Sequence, residues 1–217
     1  MKRVNIVVMI SGSGTNLQAL IDKIHNNKEV NGDIKLVISN NDDAYGLIRA
    51  ENNGIETAVI NRKQYNSASQ YEEALIDILE RADTGLIVLA GYLAFVPDKI
   101  IEKYENSIIN IHPSLIPGFC GKGFHGEKVH QEAINRGVKV SGATVHFVSK
   151  ALDSGPIIIQ RCVNVDFDDT SESLQKKVLE IEHEILPLAV ELFIQDRIRV
   201  VGNRVKILEN RADSPSG

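Results

Sequence analysis

Apolar runs of strand length alternate with amphipathic stretches through the first half of the chain. Strands are expected over residues 4–10, 34–39, 57–60, 86–90 and 108–111, and helices over 15–26, 44–53, 68–82 and 97–104. Such alternation predicts an α/β fold with a parallel, doubly wound sheet, in which ligands bind beyond the carboxyl ends of the strands. The second half changes character. After a helix near 127–136, strands at 142–149 and 157–164 are separated by Leu152-Asp153-Ser154-Gly155-Pro156, a spacing that suits a hairpin, so the single central sheet is expected to be mixed there. Leu174, Val178, Ile181, Ile185, Leu188 and Leu192 recur every three or four residues and mark a long packed helix. Asp169 with Glu172 is its expected capping pair, and Pro187 its expected kink. A terminal hairpin over 198–201 and 205–208 precedes a flexible tail at 209–217.

At 217 residues and 43 % apolar composition, the chain suits one large domain over 1–208. A net charge of −5 with no Lys/Arg block gives no footprint for nucleic acid or an anionic membrane. No apolar run reaches membrane-spanning length and no signal segment is evident, so a cytoplasmic protein is expected. Cys120 and Cys162 have no partners at ligand spacing and read as buried or half-buried thiols; no metal is expected.

Two loops could carry chemistry. Ser11-Gly12-Ser13-Gly14-Thr15-Asn16 joins the first strand to the first helix, with Thr15 and Gln18 in capping-box spacing. Its glycines allow close backbone approach and its exposed amides would favour a phosphate; the alternative is a plain tight turn. The loop is neither a Walker A motif nor a complete dinucleotide fingerprint. At the end of the fifth strand, Asn110 and His112 share one face, and Pro113 stops the strand from continuing. An amide beside an imidazole suits a reaction in which a carbonyl oxygen acquires charge while a proton moves. Asp153 is either a turn residue capping its own backbone or, if the sheet brings its loop beside His112, the carboxylate that orients the ring's proton. His146 and Thr144 share a face of the neighbouring strand, where a structural histidine is expected.

Five segments together resemble the phosphoribosylglycinamide formyltransferase family: Ser11–Asn16, Leu89-Ala90-Gly91-Tyr92, Asn110–Pro117, Gly142–Phe147 and Leu152–Ile158. The resemblance covers roughly residues 4–208. Asn-x-His-Pro-Ser-Leu with a later Asp-x-Gly is shared by all 10-formyltetrahydrofolate transferases and hydrolases, and the Ser-Gly-Ser-Gly-Thr-Asn loop resembles the glycinamide ribonucleotide branch. The resemblance implies transfer of a formyl group from 10-formyltetrahydrofolate to glycinamide ribonucleotide in purine synthesis, without a metal. The alternatives are a 10-formyltetrahydrofolate hydrolase or a formyltransferase acting on another amine. By match, Asn110, His112 and Asp153 correspond to the catalytic set, and Gly14, Thr15 and Asn16 to the phosphate cradle. Glu182 corresponds to the carboxylate that receives the glycyl amine. Leu93, Ala94, Phe95 and Val96, with Asn110 and the loop 150–154, correspond to the folate pocket; Ala94 stands where many members carry arginine. Residues 1–106 are thereby expected to form the phosphate-binding half and 107–208 the catalytic and folate-binding half. The expected partners are these two small molecules, and a homodimer is compatible with the sequence.

Overall fold

The computed structural model describes residues 3–209. In chain order its elements are β1 (Val4–Ile10), α1 (Thr15–Leu20), β2 (Gly32–Ser39), α2 (Tyr45–Glu51), β3 (Glu56–Val59), α3 (Ala68–Arg81), β4 (Leu86–Leu89) and α4 (Asp98–Lys103). There follow β5 (Ile108–His112), α5 (Glu127–Asn135), β6 (Val140–Phe147), β7 (Ile157–Asn164), α6 (Ser171–Ile194), β8 (Ile198–Val201) and β9 (Arg204–Ile207). One sheet has the order β3-β2-β1-β4-β5-β6-β7-β9-β8. β3 through β5 in that order are parallel, and β6 and β7 return antiparallel, which is the mixed sheet the sequence predicts.

Alternation along β1 builds two cores at once. Ile6, Val8 and Ile10 point into the layer formed by α1, α2 and α6, whereas Val7 and Met9 point into the layer formed by α3 and α4. A strand buried on both faces must be apolar, and that is why Ile6–Ile10 reads as a continuous run after the half-buried Val4 and Asn5. Chain order reverses between β1 and β4, so the loops after both strands flank the crevice where a doubly wound sheet receives ligands.

Several local expectations are corrected. Gly14, not Thr15, caps α1; it lies in the left-handed region at φ 70° and makes no side-chain cap. Gln18 is instead bonded to Asp22 and Arg49. The long helix is capped by Thr170 and Ser173, because Asp169 is already engaged by the Asp166 amide, the Ser173 hydroxyl and Lys177. That helix runs unbroken through Pro187. β6 begins two residues earlier than expected and ends before Val148. Cys162 is exposed, since its stretch of β7 is largely uncovered, and Cys120 is half-buried. The expected tail at 209–217 lies, Glu209 apart, outside the described residues.

Candidate active site

A cavity of about 590 Å³ opens at the carboxyl ends of β1, β4 and β5. The residues matched to catalytic and binding roles all line it: Gly14, Thr15 and Asn16 after β1; Leu93, Ala94, Phe95 and Val96 after β4; Asn110 and His112 on β5; Asp153 in the β6–β7 loop; and Glu182 on α6. Residues from both sides of position 106 contribute to this wall. Segment 93–96 from the first half and loop 150–153 from the second both face it, as does Glu182 beside the β1 loop.

The catalytic strand owes its geometry to cross-strand register. Asn110 pairs with His146 and His112 with Thr144 on antiparallel β6. His146 Nδ1 donates to the Phe147 carbonyl at 2.8 Å, and a carbonyl can only accept, so that nitrogen carries the proton. Burial holds the ring below the usual histidine range, hence neutral, and its Nε2 accepts from Asn110 Nδ2 at 3.1 Å. The second hydrogen of that amide remains available to the cavity. His146 therefore fixes which way Asn110 faces, the structural role expected of it.

His112 is likewise buried, and its Nε2 donates to the Phe119 carbonyl at 3.0 Å. Its Nδ1 lies 3.9 Å from Asp153 Oδ2, within ion-pair range but beyond a hydrogen bond. Asp153 Oδ2 accepts from the Gly121 amide at 2.8 Å, and Oδ1 lies 3.9 Å from His146 Nε2. The sheet thus does bring the Asp153 turn beside His112. Thr144, fully buried, donates to the Ser114 carbonyl and accepts from the Ile116 amide and Gln160, fastening the turn that follows His112.

On the opposite wall, Asn16 Nδ2 donates to Glu182 Oε2 at 2.6 Å, while Asn16 Oδ1 is buried without a partner. Burial pushes the Glu182 carboxyl up to about 7, against the lowering effect of that bond. Two under-served acceptors side by side suit a ligand group rich in N–H or O–H donors. Gly14 lines the cavity and also packs closely against α2: a Cβ there would come within 2.6 Å of Gly46 Cα. Gly12, which also lines the cavity, has no heavy atom within 4 Å of its Cβ position, so the backbone is open to a ligand there as well. The sequence reading missed the interlock with Gly46, and it missed His130, which lines the same cavity from α5. Its signal was position, since His130 shares the buried stripe of α5 with Val129 and Ala133. No group of three or more His, Cys, Asp or Glu able to hold a metal occurs among the described residues, and no described helix is long and apolar enough to cross a membrane.

Comparison with known proteins accords with this geometry. A phosphoribosylglycinamide formyltransferase of Haemophilus influenzae is 38 % identical over 212 residues, spanning 98 % of this chain and 97 % of that protein. The trifunctional purine biosynthetic protein adenosine-3 of Gallus gallus is 40 % identical over 198 residues, and there the chain spans only 19 % of the relative's length. Among solved structures, glycinamide ribonucleotide transformylase 1 of Symbiobacterium toebii matches with a TM-score of 0.89 and 41 % identity, covering 96 % of this chain and 95 % of that one. A formyltetrahydrofolate deformylase of Pseudomonas syringae matches at 0.86 with 28 % identity, covering 95 % of this chain and 66 % of that one. The formyl transferase model spans residues 4–190, which takes in both cavity-lining loops and Glu182, and the chain belongs to the formyl transferase family.

Proposed function

We propose that the chain transfers the formyl group of 10-formyltetrahydrofolate to the amine of glycinamide ribonucleotide, giving formylglycinamide ribonucleotide and tetrahydrofolate in de novo purine biosynthesis. The observation that carries this reading is the convergence of two unlike polar sets on one cavity: Asn110, His112 and Asp153 on one side, Asn16 and Glu182 on the other. The Ser11–Asn16 loop receives the phosphate, with Gly12 giving the close approach. Glu182 accepts from the substrate's donors, the glycyl amine foremost. Leu93 and Phe95, exposed at the mouth, and the loop 150–153 form the walls of the folate pocket together with Ala94, Val96 and Asn110.

The amine nitrogen attacks the formyl carbon, so a carbon–nitrogen bond forms and the carbonyl electron pair moves onto oxygen. The free Asn110 N–H and the His112 ring supply hydrogen-bond donors to that oxyanion. Collapse breaks the bond between the carbon and the folate nitrogen, and the amine's proton passes to that nitrogen through His112. Asp153, 3.9 Å away, stabilises positive charge on the ring while it holds the proton. His112 must leave the Phe119 carbonyl, or use Nδ1, to take part. The nucleophile belongs to the substrate, so no activated serine or cysteine is needed.

The matched deformylase structure favours a second reading, in which water replaces the amine. Tetrahydrofolate release, measured with and without glycinamide ribonucleotide, separates the two. Transfer requires release that depends on the ribonucleotide and stoichiometric formylation of it; equal release without the ribonucleotide is hydrolysis.

A further inference from the structure

His130 is 2 % exposed yet contributes to the cavity wall, on the same side as His112. Its Nδ1 is enclosed without a hydrogen-bond partner. A buried polar group left unpaired costs about 1–3 kcal/mol, so keeping an imidazole at this depth is unfavourable unless the ring edge that meets the cavity serves a ligand. α5, which carries His130, packs against α6, which presents Gln175 and Glu182 to the same cavity. Ser171 at the start of α6 donates to Glu127 at the start of α5, locking the two helices together there. From Glu182 to Gln175 is seven residues, or roughly 10 Å along a helix. The wall therefore continues from the Asn16–Glu182 pair toward His130 and the catalytic strand.

We propose that His130 is a further substrate-contacting residue, a neutral hydrogen-bonding group for an uncharged amide or hydroxyl in the ribosyl-glycinamide portion of the acceptor. The proposal rests on the transfer reaction above. The ring's setting selects this ligand chemistry over an anion. Burial, reinforced by the neighbouring His112, pushes the His130 ring down to about 4, so at neutral pH it carries no charge to offer a phosphate. With Nδ1 enclosed, the ring meets the cavity through its other edge, where Nε2 donates or accepts according to tautomer and so can serve an amide or a sugar hydroxyl.

Steady-state kinetics on the full chain test this with two variants. His130→Leu should raise the KM for glycinamide ribonucleotide about tenfold while leaving that for 10-formyltetrahydrofolate within about twofold, the size expected for one lost hydrogen bond. His130→Gln keeps a donor and an acceptor and should recover most of that loss. An unchanged ribonucleotide KM in His130→Leu, or a Gln variant as impaired as the Leu variant, overturns the proposal. Should His130→Leu fail to fold, the parent protein decides. With 15N-histidine labelling and the His130 signals assigned by the Gln variant, saturating ribonucleotide without folate should shift the His130 ring nitrogens, and folate alone should not. Ring signals unmoved by the ribonucleotide, in protein that still formylates it, defeat this inference alone. Parent protein that never formylates the ribonucleotide defeats the reaction on which it rests.

Discussion

The two loops that close the cavity are built on opposite plans. The loop after β1 is held by groups other than the side chains proposed to bind substrate: the Gly46 amide donates to the Gly12 carbonyl, Gly14 lies against Gly46, Arg49 Nε donates to the Ser13 carbonyl, and Ser11 Oγ donates to Asn40. None of those contacts uses Asn16, whose side chain is left for Glu182. The loop after β5 is held in large part by the side chains proposed to do the chemistry, since His112 bonds Phe119 and Asp153 bonds Gly121. One loop is a finished cradle whose shape precedes its ligand. The other shares its bonds between holding itself and serving the reaction, so substrate engagement and loop position are coupled through the same two side chains.

Variants can break this contrast. His112→Ala and Asn110→Ala should each lower turnover on the order of a hundredfold or more, the scale of a lost acid-base or oxyanion donor. Stopped assays of tetrahydrofolate release check this, and near-parental turnover in folded protein would remove both residues from the mechanism. Gly14→Ala should destabilise by about 2 kcal/mol, because left-handed strain adds to overlap with Gly46. Gly12→Ala should leave stability within about 0.5 kcal/mol and raise the ribonucleotide KM instead. Urea unfolding beside kinetics separates the pair, and equal unfolding midpoints would show that the cradle is not pre-built. Thr144→Val strands the Ile116 amide and should cost about 1.5 kcal/mol, with a loss of kcat exceeding any change in either KM.

The buried carboxylate adds a pH dependence. Glu182 titrates near 7 in the fold and near 4.5 when unfolded, so between those values the folded state binds the extra proton and stability falls as pH rises. Glu182→Gln removes that dependence. Without ligands, its melting temperature should match the parent near pH 5 and exceed it by several degrees at pH 8, as a change of about 2 kcal/mol would produce. Parallel melting curves at both pH values would mean that Glu182 is ionised throughout.

Much of this was legible in the sequence, and the reason differs by region. Stretches such as Ile6–Ile10 and Leu86–Leu89 are buried on both faces, so they had to be apolar runs and could be read as such. Asn110 and His112 could be placed on one face because strand periodicity is two and Pro113 marks the end. Caps were less legible: Asp169 and Thr170 are both good cap types, and the choice between them was made by Lys177, eight residues on. The packing of Gly14 against α2 had no local signal, because its neighbour, Gly46, lies 32 positions away in the chain. The orphaned Asn16 and His130 atoms had no sequence signal of their own, for a missing partner is a property of three-dimensional surroundings.

The pairing of Asn110 with His146 and His112 with Thr144 carries one more consequence. Alternate residues of a strand face opposite sides, so sliding β6 by one position would turn both supporting side chains away from the cavity while leaving the ladder of backbone bonds intact. Between β6 and β7 the register does shift, at Val145 and His146, yet it stays regular against β5. An insertion absorbed on the β7 side is tolerable there. The same single residue inserted between Thr144 and the Asp153 turn would scramble the alignment of amide, imidazole and carboxylate, yielding a well-folded protein with an inert site.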